Sequence, residues 1–519
     1  MVNLIRGLFT AVQRQSLVIS LSAFFTSLLL ISLVYIFILI ASRGGAYFWP
    51  DPLYLVKYQQ NHQSYSVFAQ IREQNEEQKL VQLRYSHANN PYGSFIMLDE
   101  QSIVSQQQVS EVAEIKLNDG RIIFAVPGYL VTPQKARLAL DNYAQVVAEV
   151  ETISGEIERL QQGTLAAVHQ SLVELDRKGV EANAPALEKL QQRFNVILSE
   201  IRELETLRDN YQLSIRFADN YTFTLPVAEI AQVNLVNQLS LGEKWRVVAR
   251  NVWDFLSQSP KQANTAGGIF PALFGTVLMV FLMTIIVTPF GVLAAIYLSE
   301  YAPDNSFTTV IRISVSNMAG VPSIVYGVFG LGFFVYTLGG NIDTLLFSDR
   351  LPAPTMGAPG VFWAALTMAI LTLPVVIVAT EEGLARVPKG LRSGSFALGA
   401  TKAETIRKII LPIASPGIMT GVILAIARAA GEVAPLMLVG AVKFAPNLPI
   451  DGEFPYLHLD RQFMHLGVLI YDGAFHSQTD AKSASIMFAS CLLLLVVVFV
   501  LNITAVILRT RLRKRYLQG

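Results

Sequence analysis

Arg428 and Glu432 are the residues of the apolar C-terminal half whose types and spacing could do chemistry. They stand in Ala427-Arg428-Ala429-Ala430-Gly431-Glu432-Val433-Ala434-Pro435-Leu436, near the middle of a long hydrophobic segment. A charge at that depth costs at least about 2.5–3.5 kcal/mol on insertion scales, so it needs a partner or a watery cavity. The four-residue spacing places both on one helix face. One reading is a self-contained ion pair that holds a helix bundle together. The other is a passage for an anion. There Arg428 offers a planar fork of donors that matches phosphate geometry, and Glu432 keeps the site from becoming a permanent anion trap.

Two further stretches carry chemistry or mechanics. Gly320-Val321-Pro322-Ser323-Ile324-Val325-Tyr326-Gly327-Val328-Phe329-Gly330 interrupts an apolar segment. Gly320 and Pro322 there free backbone groups, which only surrounding protein or a water-filled cavity can satisfy. The plainer alternative is a packing kink with small residues at a helix crossing. The connector from Glu381 to Leu411 holds Leu398-Gly399-Ala400 and then Ile409-Ile410-Leu411-Pro412. Gly399 permits a sharp turn between two short helices, and Pro412 breaks the chain as it re-enters the membrane. Ala403, Ile406, Ile409 and Ile410, with basic residues between, form an amphipathic stretch suited to a groove in a soluble partner. The alternative is simply a positively charged loop.

The elements that position these residues must lie largely in lipid. Hydrophobic residues make up 52% of the 519, charged residues only 15%, and mean hydropathy is +0.42, against about 25% charged in soluble domains. A net charge of +1 conceals an asymmetry, because most acidic residues fall between 42 and 268. The basic clusters flank apolar segments and have a topological explanation, which excludes a nucleic-acid partner. The single cysteine, Cys491, excludes an intrachain disulfide and a cysteine metal site. The six histidines show no ligand spacing, so no metal site is expected.

Six segments reach the roughly 20 apolar residues that a span requires: about 17–41, 269–299, 311–338, 360–380, 413–440 and 484–508. The first is too long for a signal-peptide core and reads as an uncleaved anchor. Arg6 and Arg14 precede it. Arg386, Lys389, Arg392, Lys402, Arg407 and Lys408 lie between the fourth and fifth. Arg509, Arg511, Arg513, Lys514 and Arg515 follow the sixth. With six spans all three clusters share one side, which the positive-inside rule makes cytoplasmic. The expected layout is a cytoplasmic N-terminus and first span over 1–41, an outer segment over 42–268 and a membrane domain over 269–519.

The outer segment reads as α+β. Val81-Gln82-Leu83-Arg84-Tyr85 and Arg121-Ile122-Ile123-Phe124-Ala125-Val126 are strand-like, with a hairpin signal at Asn118-Asp119-Gly120. Two helical stripes follow. The first runs Tyr143, Val147, Val150, Ile153, Ile157, Leu160, and the second Leu187, Leu190, Phe194, Ile197, Ile201, Leu204, Leu207. An antiparallel coiled-coil hairpin turning near Lys178-Gly179 would bury both. A strand-like run from Leu213 to Leu225 returns to the first sheet. Either a rigid structural module or a docking arm for an envelope component fits these features.

Gly399, Ile409, Leu411 and Pro412 resemble the coupling-loop signature of ABC importer permeases, EAA-x3-G-x9-I-x-L-P, although Ser393-Gly394-Ser395 stands where the leading triplet belongs. Residues 320–330 resemble the phosphate-specific permeases of the PstA type, and Arg428 with Glu432 matches their GE-x-APL segment and the arginine one turn earlier. The resemblance covers about 269–515 and departs from that family in the long insert. It implies a membrane permease subunit of an ATP-driven phosphate importer in a bacterial inner membrane. The implied partners are a second permease chain, ABC ATPase subunits and a periplasmic phosphate-binding protein, with inorganic phosphate as cargo. This chain has no G-x4-G-K-[ST] loop: Gly394 and Gly399 are followed by Ala400-Thr401. It is therefore expected to be no enzyme and to hold no cofactor, with ATP and magnesium on the ATPase partner. Another oxyanion such as sulfate or molybdate remains the near alternative, and a non-transporting envelope anchor or sensor the distant one.

Overall fold

The computed structural model describes residues 11–60, 62–75, 79–177, 185–261, 266–452, 455–475 and 481–517. Two compact units emerge: Met1–Phe48 with Trp253–Gly519, and Trp49–Val252.

In the Trp49–Val252 unit, alternating apolar residues build two antiparallel sheets. One has five strands in the order β4-β3-β2-β1-β5, with β1 Tyr54–Gln60, β2 Gln63–Asn75, β3 Leu80–His87, β4 Asn90–Asp99 and β5 Ile103–Gln108. The other has the order β10-β9-β7-β6-β11: β6 Ala113–Leu117, β7 Ile122–Val131, β9 Gln212–Arg216, β10 Thr222–Pro226 and β11 Ile230–Asn234. A short β8, Arg137–Leu138, lies against β7. Gly120, at φ 90°, closes the β6–β7 turn with its N–H on the Leu117 carbonyl at 3.0 Å, where the Asn-Asp-Gly signal stands. The run 213–225 joins the sheet that holds Ile122–Val126, not the one that holds Val81–Tyr85. β7 pairs with β6 up to Ala125 and with β9 from Val126, and a bulge at Pro127–Leu130 interrupts the second pairing, the kind of place where a strand tolerates proline. Leu53, Phe68, Val112, Ile122 and Phe124 share one cluster joining the sheets, and the Phe124 N–H donates to Ser86 Oγ at 3.0 Å.

The two helical stripes divide between cores. In the helix Tyr143–Arg159, Val146 and Val150 are buried on the second sheet, with Tyr143 and Val147 packed beside them. Farther along, Ile157, Leu160 and Val168 pack on Ile197 and Ile201 of the helix Pro185–Asp209. The first stripe therefore covers a sheet with one half and a helix with the other, because the sheet's apolar face also needs a cover. The expected turn near Lys178-Gly179 lies outside the described residues.

Among the described residues, the other unit holds six helices long and apolar enough to cross a membrane: Gln15–Ala46, Phe270–Tyr301, Ser323–Leu346, Val361–Ala385, Lys402–Gly431 and Ile486–Arg511. Two differ usefully from expectation. The third begins at Ser323, and Ser306–Met318 is a separate helix. Gly320 and Pro322 therefore lie between helices, not inside a span. Gly320 N–H turns back to the Asn317 carbonyl at 3.0 Å, and Pro322 adopts extended angles (φ −55°, ψ 132°), where a ring without an N–H opens a helix readily. The fifth ends at Gly431 and not near 440, and a short helix Ala434–Val439 follows.

The fourth span is the hub, buried along most of its length. Its core joins Met279, Met283 and Val287 of the second span to Ala425, Ala429 and Ala430 of the fifth. The fourth and fifth helices cross at glycines. A Cβ on Gly417 would lie 2.6 Å from the Gly383 Cα, an approach only small residues allow. Gly417→Val is expected to lower the stability of the membrane unit by about 1–3 kcal/mol, the usual cost of overpacking. A lower thermal unfolding midpoint of the detergent-solubilised chain would show it.

Candidate functional site

Two of the three groups of sequence-marked residues meet around the end of the fifth span, and the third, the connector, leads into its start. Arg428 stands in the last turn of the helix Leu411–Gly431, and Glu432 is the residue that ends it, with extended backbone angles (φ −80°, ψ 135°). This corrects the mid-span placement: Arg428 sits at a helix break, where a cation is favoured by the unpaired carbonyls of the last turn. Arg428 Nε donates to Glu432 Oε1 at 3.4 Å. The side chains keep 30% and 22% of their exposure, so the pair is not sealed within the helix packing.

The Gly320–Gly330 run comes to the same place. Tyr326 packs in one core cluster with Ala425 and Ala429, which flank Arg428 in the chain, and its hydroxyl donates to the Met318 carbonyl at 2.8 Å, bridging the break. A Cβ on Gly327 would meet the Pro435 Cα at 2.7 Å, and one on Gly330 would meet Thr367 Oγ1 at 2.3 Å. Small residues thus let the start of the third span lie against the Ala434–Val439 helix and the fourth span. The sequence flagged Gly320 and Pro322 but missed Tyr326. A lone phenol within an apolar run, with an arginine to answer it elsewhere, was the available signal.

The connector 381–412 is built with unusual definition. The helix Lys389–Ala397 ends in a paired cap: Gly399 N–H bonds the Phe396 carbonyl at 3.0 Å, and Ala400 N–H the Ser395 carbonyl at 3.2 Å. Gly399 takes φ 84°, the left-handed conformation this cap requires. Thr401 opens the next helix at once, in a capping box with Glu404. Ser395 Oγ and Thr405 Oγ1, buried 2.8 Å apart, clamp the two helices together.

The amphipathic stretch divides in two. Ile406 and Ile410 bury into the chain's own core beside Leu298, Ile377 and Leu384, while Ala403 is exposed and Ile409 half-exposed. Leu398, 90% exposed, and Leu391 and Phe396 supply outward apolar surface instead. A groove of about 640 Å³ lined by Leu391, Gly394, Leu398, Gly399, Lys408 and Ile409, among others, opens beside them. Bundle burial claims the isoleucines first because both carry large apolar area next to the membrane core.

Sequence reasoning also missed the residues that fasten this connector. Arg392 NH1 reaches Glu300 Oε1 at 2.8 Å, and its NH2 donates to the Leu384 carbonyl at 2.7 Å. Lys402 donates to the Glu300 carbonyl and sits over the Tyr301 ring at 4.5 Å. The end of the second span is thereby tied to both connector helices. Arg392 and Lys402, read from sequence as topological charges, have specific partners. An isolated acid just past a span was the signal for Glu300.

Helices that cross a membrane, broken at a charged pair and joined by a capped connector, define an integral membrane transport component. A model of the binding-protein-dependent transport system inner membrane component matches residues 287–516. Phosphate transport system permease protein PstA 1 of Mycobacterium tuberculosis is 32% identical over 310 residues, 59% of this chain and 90% of the relative. The corresponding PstA of Yersinia pestis is 33% identical over 252 residues, 48% of this chain and 75% of the relative. The chain belongs to the PstA family of phosphate transport system permeases. A solved methionine ABC transporter, MetNI in an inward-facing conformation, aligns at 17% identity over 46% of this chain and 94% of its own. The TM-score is 0.36, too slight to argue from.

Proposed function

We propose that this chain is the permease subunit of an ATP-driven phosphate importer, forms half of its translocation pathway and hydrolyses no ATP itself. The observation that carries this reading is the partly exposed Arg428–Glu432 pair at a helix break beside Tyr326, in a chain whose relatives are named phosphate transport permeases. A charge left open in a membrane helix is tolerated where it lines water or meets a partner, and a guanidinium suits phosphate. Glu432 competes for the same donors, which favours release.

The connector and the charged pair are two ends of one element. From Leu411 to Arg428 the helix rises about 25 Å at 1.5 Å per residue, so a push at Gly399, Ile409, Leu411 and Pro412 is delivered to Arg428. The proposed partners follow from this: ABC ATPase subunits holding ATP and magnesium against the connector, a second permease completing the pathway, and a periplasmic phosphate-binding protein. The three basic clusters put both termini and the connector in the cytoplasm and 42–268 in the periplasm. The compact unit Trp49–Val252 falls within that segment and supports the layout of 1–41, 42–268 and 269–519. Its helical pair, with Ile157 and Leu160 against Ile197 and Ile201, is taken as a coiled-coil hairpin.

The test is phosphate uptake in a strain lacking its own permease, complemented with this chain and its partners. Uptake insensitive to excess sulfate or molybdate is expected. Competition by either anion would reassign the cargo, and absence of uptake with a stable chain in the membrane would favour an anchor.

A further inference from the structure

The helix Leu241–Ser257 turns its apolar side outward. Leu241 is 73% exposed, Trp245 63% and Trp253 69%, at four- and eight-residue steps with Ala249 also exposed between them. Half-buried Val248, Val252 and Leu256 complete the band, which spans an arc of about 140° at about 100° per residue. Arg246 and Arg250 border the arc on one side and Lys244 on the other. Glu243 and Asp254 fall on the far side of the helix. Trp49 adds its ring edge-on to Trp245 at 5.5 Å and is itself 37% exposed. Three of the chain's four tryptophans therefore gather here.

The last turn of this helix is fastened to the roots of two spans. Ile269 N–H donates to the Phe255 carbonyl at 2.8 Å, and Phe270 N–H to the Gln258 carbonyl at 3.1 Å. Phe270 opens the helix of the second span. The Phe255 ring packs on Tyr47 and Phe48, with centroids 5.6 and 5.2 Å away, just past the end of the first helix at Ala46. Trp253 thus stands two residues from Phe255, which touches the end of the first membrane-length helix and the start of the second.

We propose that Leu241–Ser257 is an interfacial helix lying in the headgroup layer of the bilayer, with Leu241, Trp245 and Trp253 sunk toward the acyl chains and Lys244, Arg246 and Arg250 among the lipid phosphates. The occupant is phospholipid. Tryptophan concentrates at membrane–water boundaries, and an apolar arc edged by basic residues is the pattern of helices that lie in that plane. The attachment to two span roots bears on the depth of the last turn, Trp253 included, independently of either pattern. The helix would hold the chain's exits from the first and into the second span at a constant height.

Full-length chain in nanodiscs of phosphatidylethanolamine and phosphatidylglycerol tests this by tryptophan fluorescence. The emission of Trp245 and Trp253 is the wild-type signal minus that of the exposed-site variant W245F/W253F. Lipids brominated high on the acyl chain are expected to quench this difference about twofold or more, with lipids brominated near the midplane and aqueous iodide much weaker. Quenching by iodide and not by brominated lipid would place the face in water and overturn the proposal. Protection from both would mean that protein covers it, which overturns the proposal equally. If the double variant does not accumulate, the single variants Trp245→Phe and Trp253→Phe give the same difference one residue at a time.

Discussion

Arg428→Ala is expected to abolish ATP-driven phosphate uptake while the subunit still reaches the membrane and assembles with its partners. The side chain sits in the last turn of its helix and is partly exposed, so its removal opens no cavity in the alanine-lined core behind it. On the proposed role of Arg428, what is lost is a charged donor to the anion. Hydrogen bonds to charged groups contribute about 1.5–3 kcal/mol, or roughly 10- to 100-fold in binding. The variant also leaves Glu432 without its 3.4 Å partner, and an unpaired carboxylate repels the incoming anion. The loss should therefore exceed that of Arg428→Lys, which keeps the charge and loses only the fork. Arg428→Ala combined with Glu432→Gln should recover part of the uptake by removing the repulsion. Radiolabelled phosphate uptake, set beside co-purification of the ATPase, reads both effects. Normal uptake by Arg428→Ala would remove this residue from the pathway.

The features legible in sequence were those carried by local chemistry. Four of the six apolar segments, the Asn118-Asp119-Gly120 turn and the sharp turn at Gly399 between two short helices depend on neighbouring residues, and each stands in the structure where those residues are. What sequence could not supply came from competition between surfaces. Hydropathy alone carried the third span back across Pro322 and the fifth forward past Gly431, because an apolar count does not register where backbone hydrogen bonding stops. The stripe from Tyr143 to Leu160 was assigned to one partner, yet a sheet face claimed half of it. Ile406 and Ile410 were offered to an outside groove, yet the bundle's own core took them. The candidate site shows the same division. Arg428 and Glu432 are close in sequence and could be paired by spacing. Tyr326 to Arg428 and Arg392 to Glu300 join residues far apart in the chain, and no periodicity encodes them.

Gly399→Val is expected to uncouple the subunit, with phosphate uptake reduced tenfold or more and membrane insertion retained, and Gly399→Asn is expected to remain near wild type. Among the described residues, no heavy atom outside Gly399 and its two chain neighbours lies within 4 Å of a Cβ placed there, so the effect of valine is conformational and not a clash. At φ 84° an ordinary side chain costs about 1–2 kcal/mol, a β-branched one is a genuine outlier, and asparagine adopts this region readily. That cost falls on a turn with nothing to spare. The cap of one helix and the capping box of the next are separated only by Gly399 and Ala400. Relieving the strain means opening the turn, which parts Ser395 from Thr405 and swings Leu398 and the adjoining groove out of place. The spans are held by their own core and by the Arg392–Glu300 tie, so the variant should still insert. Phosphate uptake together with the ATPase activity of the purified complex gives the reading. Full uptake by Gly399→Val would show that the turn's geometry does not transmit the ATPase stroke, and equal loss in Gly399→Asn would show that the position matters for contact and not for backbone conformation.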